Sequence, residues 1–312
     1  MKKMLVILLA VLCICGTAMA EDTYYVGISQ LVQHVALDAA TQGFQDALTD
    51  KLGDAVKFDV QNASGDSNTC STIVNTFISN GVDLIMANAT PALQAAVAAT
   101  GDIPILGTSV TDYATALDID DWTGATGINV SGTSDLAPLS EQADMLHELF
   151  PDAKNVGILY CSAEPNSKYQ ADVIREYLAD YGYTVTDFTF ADSNDVASVT
   201  QNAADAVDVI YIPTDNTAAS CTEAIRNVIE PAKLPVIAGE EGICVTAGVA
   251  TLSISYYDLG YATGEMAYEV LVNGADVSTM DIRYAPQVTK EYNAELAELM
   301  GVEIPEDYVA ID

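Results

Sequence analysis

The chain has 312 residues, of which 50% are hydrophobic and 18% charged, and its 45 acids against 11 bases give a formal net charge of −34. This length accommodates two domains of about 150 residues, and so apolar a composition supports a buried core. The acidic surplus excludes binding of nucleic acid or anionic lipid, and two histidines far apart in the chain argue against histidine catalysis and histidine-rich metal sites.

The first 20 residues have the pattern of a secretory signal peptide. Lys2 and Lys3 precede an apolar stretch that is too short to span a bilayer, and Ala18-Met19-Ala20 is a small-x-small cleavage site. We expect cleavage before Glu21 and an exported protein, periplasmic or extracellular. Large residues precede both leader cysteines, so we do not expect a lipid anchor. A retained N-terminal anchor is the alternative.

Loss of the leader removes two lysines and leaves nine bases against 45 acids, a charge of about −36. Self-repulsion at this charge favours a soluble monomer and disfavours a polyanionic ligand. A zwitterion, a cation or a neutral solute fits such a protein better.

Short apolar runs of the first half of the chain recur in the same order in the second half. Residues 26–29 match 156–159, residues 82–85 match 207–210, and residues 103–107 match 234–239. Each run is rich in β-branched residues, which is typical of buried parallel strands. Helical patterns separate them, at 37–52, 68–79, 91–99, 142–150, 169–181, 196–206 and 218–229. The fold class predicted is α/β, with two doubly wound parallel-sheet lobes joined by a hinge.

The predicted division of the mature chain gives each lobe two segments. Lobe 1 contains residues 21–128 and 255–275, and lobe 2 contains residues 129–254 and 276–312. Within these, we expect a crossover at 124–132, a helix at 256–272 that returns to lobe 1, a strand near 281–288 and a helix near 291–300. Open parallel sheets bind ligands at the carboxyl ends of their strands, so two facing lobes predict a ligand cleft that closes by hinge motion.

In lobe 1, small polar residues follow the predicted strands. Ser29 and Gln30 follow the first, Asn88 and Thr90 the third, and Ser109 the fourth. Thr90 precedes a proline, so it can cap its own helix, and the free N–H groups at that helix start can also hold a carboxylate. We assign these five residues to the ligand site and leave the capping role of Thr90 as the alternative.

In lobe 2, the strand ends are more acidic. Asn166 and Ser167 follow its first strand, Asp215 and Asn216 a later one, and Glu240 the next. The Asp215 carboxylate can hold a ligand ammonium, and its alternative role is an N-cap of the following helix. Hydroxyls and amides on one lobe and carboxylates on the other match the two ends of an amino acid.

A flat apolar ligand needs aromatic partners. Tyr113 is the first candidate, because it follows a strand-end loop, and Tyr160, Trp122 and Tyr256 come after it. Core or surface packing is the alternative for each.

Four cysteines remain after removal of the leader. Cys70 belongs to lobe 1, whereas Cys161, Cys221 and Cys244 belong to lobe 2. A disulfide between the lobes opposes hinge motion, so we expect at most one disulfide, within lobe 2, and a free Cys70.

No catalytic or cofactor motif accompanies these residues. The sequence has no G-x-S-x-G elbow, Walker loop, dinucleotide-binding glycine pattern or Cys-x-x-Cys metal pair. The adjacent carboxylates of Glu240 and Glu241 point apart in most backbones and make a poor pair for glycoside hydrolysis. We expect a binding protein with no cofactor and no metal, and not an enzyme.

The chain resembles the ABC-transporter substrate-binding proteins of the tryptophan/tyrosine-uptake type, which have a type I periplasmic binding fold. The resemblance runs along nearly the whole mature chain and includes Gly27-Ile28-Ser29-Gln30, Gln61-Asn62-Ala63, Ala89-Thr90-Pro91-Ala92, Gly132-Thr133-Ser134-Asp135, Glu164-Pro165-Asn166-Ser167, Pro213-Thr214-Asp215-Asn216 and Ser255-Tyr256-Tyr257-Asp258-Leu259-Gly260.

This resemblance implies a protein that closes on a small solute, an aromatic amino acid above all, and delivers it to an ABC permease and ATPase. It also implies that Gln30, Thr90, Ser109, Asn166, Ser167 and Asp215 lie near the ligand. The family often has Asp-Pro where this chain has Asp112 before Tyr113. Two alternatives stay open: a binder of another solute, such as a sugar, nucleoside or peptide, and a sensory module that presents its solute to a receptor.

Overall fold

The computed structural model describes residues 23–285 and 287–311, and the predicted signal peptide lies outside them. The strands in these residues are β1 (Tyr24–Gln30), β2 (Val56–Asn62), β3 (Leu84–Asn88), β4 (Ile105–Val110), β5 (Val130–Ser134), β6 (Asn155–Cys161), β7 (Thr184–Phe190), β8 (Val209–Ile212), β9 (Val236–Ala238), β10 (Ala250–Ser253), β11 (Arg283–Tyr284), β12 (Thr289–Tyr292) and β13 (Val309–Ala310).

The helices are α1 (Val35–Leu52), α2 (Ser67–Asn80), α3 (Thr90–Ala99), α4 (Tyr113–Leu117), α5 (Leu139–Leu149), α6 (Pro165–Asp180), α7 (Val196–Ala204), α8 (Asn216–Ser220), α9 (Thr222–Ala232), α10 (Glu241–Ala247), α11 (Tyr256–Leu271) and α12 (Ala294–Met300). In the described part of the chain, no helix has both the length and the hydropathy that bilayer crossing requires.

Two sheets form the cores of two lobes. The first has the strand order β11-β5-β4-β3-β1-β2, and the second has the order β13-β12-β10-β9-β8-β6-β7. All neighbouring strands are parallel except β10 and β12. The order β2-β1-β3-β4-β5 of lobe 1 recurs in lobe 2 as β7-β6-β8-β9-β10. The predicted internal repeat and the fold class of two doubly wound α/β lobes are therefore confirmed.

The burial of the repeated apolar runs explains why their composition predicts strands. The central strands β3, β4, β8 and β9 are buried at every residue, because helices cover both faces of each sheet. At the sheet edges, β2 and β7 carry mostly exposed or half-buried residues. The apolar runs thus mark the strands at the centre of each sheet.

The late helix α11 packs on α1 of lobe 1, as predicted. The two helices approach so closely that a Cβ at Gly260 would overlap the Ala40 carbonyl, and a Cβ at Gly43 would overlap the carbonyl of Tyr257. Glycine at these positions lets the two backbones touch. The contact anchors α11 to the first lobe directly after the chain leaves the second.

The lobe boundaries differ from the prediction in two places. The strand β5 pairs with β4, and β11 pairs with β5, so both belong to the sheet of lobe 1 rather than to lobe 2. The physical reason is composition: β5 reads Val-Ser-Gly-Thr-Ser and is buried throughout, yet it lacks the apolar run that marks a central strand. The segment predicted as a crossover at 124–132 therefore contains the start of this strand.

Three connections join the lobes, and they fall between elements of the two sheets. The chain crosses after β5, between β10 and α11, and between β11 and β12. The predicted helix at 218–229 is divided into α8 and α9 at Cys221. Residues that follow strands of both sheets line one cavity, so the carboxyl ends of the two sheets face a common cleft.

Candidate functional site

The two lobes contact each other across a cleft at their strand ends. A cavity of about 220 Å³ is lined from lobe 1 by residues that follow β1 and β2 and from lobe 2 by residues that follow β6, β7 and β8. At one point His34 Nε2 lies 3.4 Å from Asn216 Oδ1. A second cavity of about 450 Å³ lies on the hinge side, where the starts of α1 and α11 meet Glu240 and the connections to β11 and β12.

On the lobe 1 side, a hydrogen-bond network ties β1 and β3 to α1. Thr41 Oγ1 donates to Gln30 Oε1 at 2.7 Å, and Gln30 Nε2 donates to Val32 O and to Asp38 Oδ1. Asn88 Nδ2 donates to Leu37 O at 2.8 Å. Both ends of the Gln30 amide are thus engaged within the protein, so this side chain supports the cleft wall.

Four other lobe 1 atoms at the strand ends have no such partner. They are Ser29 Oγ, Asn88 Oδ1, Thr90 Oγ1 and Ser109 Oγ, all buried and without a hydrogen bond to any residue the structure describes. A buried polar group left unpaired costs about 1–3 kcal/mol. Four such groups at the carboxyl end of one sheet, all at positions predicted from the sequence, indicate a surface that can bind polar groups of a solute.

The backbone at these strand ends is held in uncommon conformations. Ala89 has φ of 91° and Ser109 has φ of 54°, both positive in residues other than glycine. Such conformations cost energy and cluster at ligand sites. Ala89 occupies the N-cap position of α3 and Thr90 is the first helical residue, so the alternative role of Thr90 as an N-cap is not the one observed.

In lobe 2, Asp215 serves as the N-cap of α8. Its Oδ1 accepts from Ala218 N at 2.7 Å and its Oδ2 accepts from Cys161 N at 2.6 Å, so each oxygen already has a backbone donor. Burial, followed by the nearby Glu164 carboxylate, raises the pKa of Asp215. The capping alternative weighed from the sequence is therefore realised, and the ammonium role of Asp215 stays a prediction.

Glu164 lines the cavity between the lobes, although the sequence did not mark it as a ligand residue. Its carboxylate accepts from the backbone and side chain of Asn216 (Nδ2 at 2.6 Å) and of Thr217 (Oγ1 at 2.7 Å). Asn166 Nδ2 donates to the Thr214 carbonyl at 3.1 Å, while its Oδ1 is buried without a partner among the described residues. Glu164 thus orients Asn216, whereas Asn166 keeps a free acceptor. The signal available was an acid at a strand end, before Pro165.

Ser167 and Glu240 complete the predicted set on lobe 2. Ser167 is fully buried beside Asn166, with 3.3 Å between Asn166 Nδ2 and Ser167 Oγ. Glu240 is the N-cap of α10 and accepts from Gly242 N and Ile243 N, each at 2.9 Å. Burial raises the pKa of Glu240 to about 7. Both residues lie at the strand ends to which they were assigned.

Asp135 is a second buried acid at a strand end that the sequence did not mark as a ligand residue. It directly follows β5, is only 3% exposed, and accepts a hydrogen bond from the Tyr256 hydroxyl to Oδ2 at 3.0 Å. Its Oδ1 is buried without a partner in the described part of the chain. Burial raises the pKa of Asp135 to about 6. The hydrophobic pattern does not predict β5 as a strand, so it does not place Asp135 at a strand end.

The aromatic candidates occupy different environments. Tyr113 packs in the core of lobe 1 against Gly107 and Gly132, with its hydroxyl donating to the Thr133 carbonyl at 3.1 Å. Trp122 is half-buried against the same core, and Tyr160 lies in the core of lobe 2. The packing alternative thus describes Tyr113, Trp122 and Tyr160. Tyr256 is 5% exposed and lines the hinge-side cavity.

The cysteines and the possible metal ligands of the described residues form neither a disulfide nor a cluster suited to a metal ion. The cysteines of the described residues, Cys70, Cys161, Cys221 and Cys244, are all unpaired. Within the same residues, no group of three or more histidine, cysteine, aspartate or glutamate side chains is arranged to hold a metal ion.

Comparison with known proteins connects this geometry to a family. The model of the family described as ABC transporter substrate binding protein matches residues 25–311. A tyrosine-binding protein of Clostridioides difficile (strain R20291) is 40% identical over 263 residues, which cover 82% of this chain and 76% of that protein.

Two solved structures are similar over nearly their whole length. One is an ABC domain in complex with L-Trp from Streptococcus pneumoniae, 33% identical, with a TM-score of 0.87 over 91% of this chain and 97% of that chain. The other is the ligand-free, open structure of a substrate binding protein with adhesive properties from Clostridium difficile, 37% identical, with a TM-score of 0.69 over 93% of this chain and 99% of that chain. The TM-score is higher for the L-Trp complex than for the ligand-free, open structure, although the sequence identity is lower.

Proposed function

We propose that this chain, which belongs to the family of ABC transporter substrate-binding proteins, captures one free aromatic amino acid between its two lobes. Its lobes have the type I periplasmic binding fold. Relatives whose names specify tyrosine and L-Trp support the choice of an aromatic amino acid. The solute then passes to a membrane permease driven by an ATPase, which is the role that defines the family.

The observation that carries this proposal is the set of unpartnered buried polar atoms on both lobes. Thr90, Ser109 and Asn88 present them from lobe 1, and Asn166 presents one from lobe 2. A ligand that bonds to both sides stabilises the closed arrangement by its differential affinity for it. An amino acid offers a carboxylate and an ammonium, which suit hydroxyl donors and carboxylate acceptors respectively.

The start of α3 suits the ligand carboxylate. The helix begins at Thr90-Pro91, directly after β3, and its first N–H groups point toward the cleft end of the sheet. The Thr90 hydroxyl adds a donor at the same place. The net charge of −34 repels a polyanion but not a zwitterion, which carries no net charge at neutral pH.

The cellular setting follows from the same proposal. The protein is exported by its leader, is cleaved before Glu21, acts as a soluble monomer outside the cytoplasmic membrane, and performs no catalysis. Its partners are the permease and ATPase subunits of an importer. Loss of uptake in a deletion strain distinguishes this role from that of a sensory module, which binds its solute equally well.

A thermal-shift screen of protein that has been unfolded and refolded tests the proposal. Refolding removes any solute retained during purification. The screen includes the twenty amino acids, with sugars and nucleosides alongside. A ligand at 100 times its dissociation constant adds about 2.7 kcal/mol to the free energy of unfolding, a shift of several degrees. We expect shifts with tyrosine, tryptophan or phenylalanine. A shift with a sugar or nucleoside alone would overturn the proposal.

A further inference from the structure

We propose that Asp135, rather than Asp215, receives the ammonium group of the ligand, and that Tyr256 holds the Asp135 carboxylate in place for it. This inference rests on the proposed function, because it names the residue that recognises the amino group of the solute. It assigns a binding role to a residue at the end of β5 on the lobe 1 side of the cleft.

The buried carboxylates differ in how many of their oxygens accept hydrogen bonds. Four are present in the described residues: Asp135, Glu164, Asp215 and Glu240. Both oxygens of the last three accept hydrogen bonds from backbone or side-chain donors at the end of β6 and at the starts of α8 and α10. In Asp135 one oxygen accepts from Tyr256, and the other has no partner in the described chain. Among these four acids, Asp135 is therefore the one with an oxygen left for a ligand.

The charge of the Asp135 carboxylate has no opposite charge paired with it in the described residues. A buried carboxylate is unfavourable unless a cation or several donors compensate for the lost water. None of the ion pairs within the described residues involves Asp135. A ligand ammonium would supply both the positive charge and the missing donor, and an N–H bond to a carboxylate is among the stronger hydrogen bonds in proteins.

Asp135 lies close to another unpartnered polar group of the cleft. The Asp135 backbone N–H donates to the Val110 carbonyl at 3.3 Å, so the residue lies beside the end of β4, where Ser109 carries its own unpartnered hydroxyl. The Tyr256 hydroxyl that bonds to Asp135 belongs to the first residue of α11, where the chain returns from lobe 2. A solute that bonds to Ser109 and Asp135 together would lie at the hinge end of the cleft.

Isothermal titration calorimetry of Asp135→Asn tests this assignment. The two probes are L-tyrosine and 3-(4-hydroxyphenyl)propanoate, which is the same molecule without its amino group. The wild type should prefer L-tyrosine strongly. Asp135→Asn should lose about 30–100-fold in affinity for L-tyrosine, keep its affinity for the amine-free acid, and so lose the preference. The exposed Asp102→Asn is the matched control and should behave as wild type.

Two further variants keep the result interpretable. Asp215→Asn should unfold at a lower temperature, because it loses an acceptor for Cys161 N, and should keep the preference for L-tyrosine. Tyr256→Phe removes only the hydroxyl that orients Asp135 and should reduce the preference several-fold. It replaces Asp135→Asn as the test if that variant does not fold.

The outcomes separate this inference from the proposed function. If Asp135→Asn or Tyr256→Phe keeps the full preference for L-tyrosine, or if Asp215→Asn is the variant that loses it, the assignment to Asp135 is wrong and the binding function stands. If the wild type binds neither L-tyrosine nor L-tryptophan, the proposed function itself fails.

Discussion

His34 of lobe 1 and Asn216 of lobe 2 lie 182 positions apart in the chain, yet 3.4 Å separates His34 Nε2 from Asn216 Oδ1. Asn216 is oriented for this contact because its Nδ2 donates to Glu164 at 2.6 Å. The contact joins the start of α1 to the start of α8 directly across the cleft. Because it spans the two lobes, we expect it to stabilise the arrangement in which they are together.

Replacement of this histidine should weaken binding without disturbing either lobe. A hydrogen bond contributes about 0.5–1.5 kcal/mol, so His34→Ala should raise the dissociation constant for the amino acid about 2–10-fold. His147→Ala is the matched control, since His147 stacks on Tyr181 within lobe 2 and should leave affinity unchanged. Calorimetric titration measures both. Equal affinity of His34→Ala and wild type would show that the contact contributes nothing to closure.

Unpartnered hydroxyls at the cleft should matter for binding and not for folding. Thr90→Val replaces a buried hydroxyl that has no partner in the described chain with a methyl group of similar size. The ligand-free protein should keep or raise its melting temperature, while affinity for the amino acid should fall about tenfold. Thr200→Val is the control, because the Thr200 hydroxyl donates to Val196 O within α7. A Thr90→Val variant with unchanged affinity would remove Thr90 from the site.

The stability of the ligand-free protein should depend on pH in an unusual direction. Burial raises the pKa of Asp135 to about 6 and that of Glu240 to about 7, and it also raises the pKa of Asp215. Above about pH 4 the unfolded chain has released these protons while the folded protein retains them, so stability falls as pH rises from about 5 to 8.

Thermal unfolding of ligand-free protein at pH 5 and pH 8 measures this effect, and the melting temperature should be higher at pH 5. Asp208, whose pKa the backbone N–H groups of Asn155 and Lys154 lower, acts in the opposite direction, but only below about pH 4. The variant Asp135→Asn should reduce the difference between the two pH values. A higher melting temperature at pH 8 would contradict the burial of these acids.

The contact between α1 and α11 should be intolerant of a single methyl group. A Cβ at Gly260 would overlap the backbone carbonyl of Ala40, which cannot rotate away as a side chain can. Gly260→Ala should therefore cost about 1–3 kcal/mol or more and lower the melting temperature by several degrees. Gly101→Ala meets no atom within 4 Å and should be neutral. Identical melting temperatures would show that the two helices separate without cost.

The sequence predicts the strands that hydrophobic periodicity reveals and misses those that it does not. The apolar runs at 82–85 and 207–210 lead into β3 and β8, and the internal repeat correctly implies two lobes of one topology. Hydrophobic periodicity does not predict the polar strand β5. Its buried residues Ser131, Gly132 and Thr133 are accommodated by tertiary contacts, such as the hydrogen bond from the Ser131 hydroxyl to the Met280 carbonyl. Because β5 is not predicted, Asp135, the acid that directly follows it, is not predicted as a strand-end residue either.

Residue types at strand ends predict candidate positions for the site, but they do not show which side chains are already paired within the protein. The sequence assigns both Asp215 and Gln30 to the ligand, yet Cys161 N and Thr41 Oγ1, which belong to other elements, already donate to their oxygens. Only the three-dimensional structure shows that a polar atom is already paired. By contrast, Ser109 and Thr90 were assigned from position alone and carry unpartnered oxygens.

The central claim is that the two lobes enclose one aromatic amino acid, and a calorimetric titration of refolded mature protein with L-tryptophan and with L-tyrosine tests it most directly. The account predicts saturable heat with at least one of them, at one molecule per chain, and loss of that heat when the other saturates the site. Absence of saturable heat with both amino acids, measured on protein that unfolds cooperatively, would contradict it.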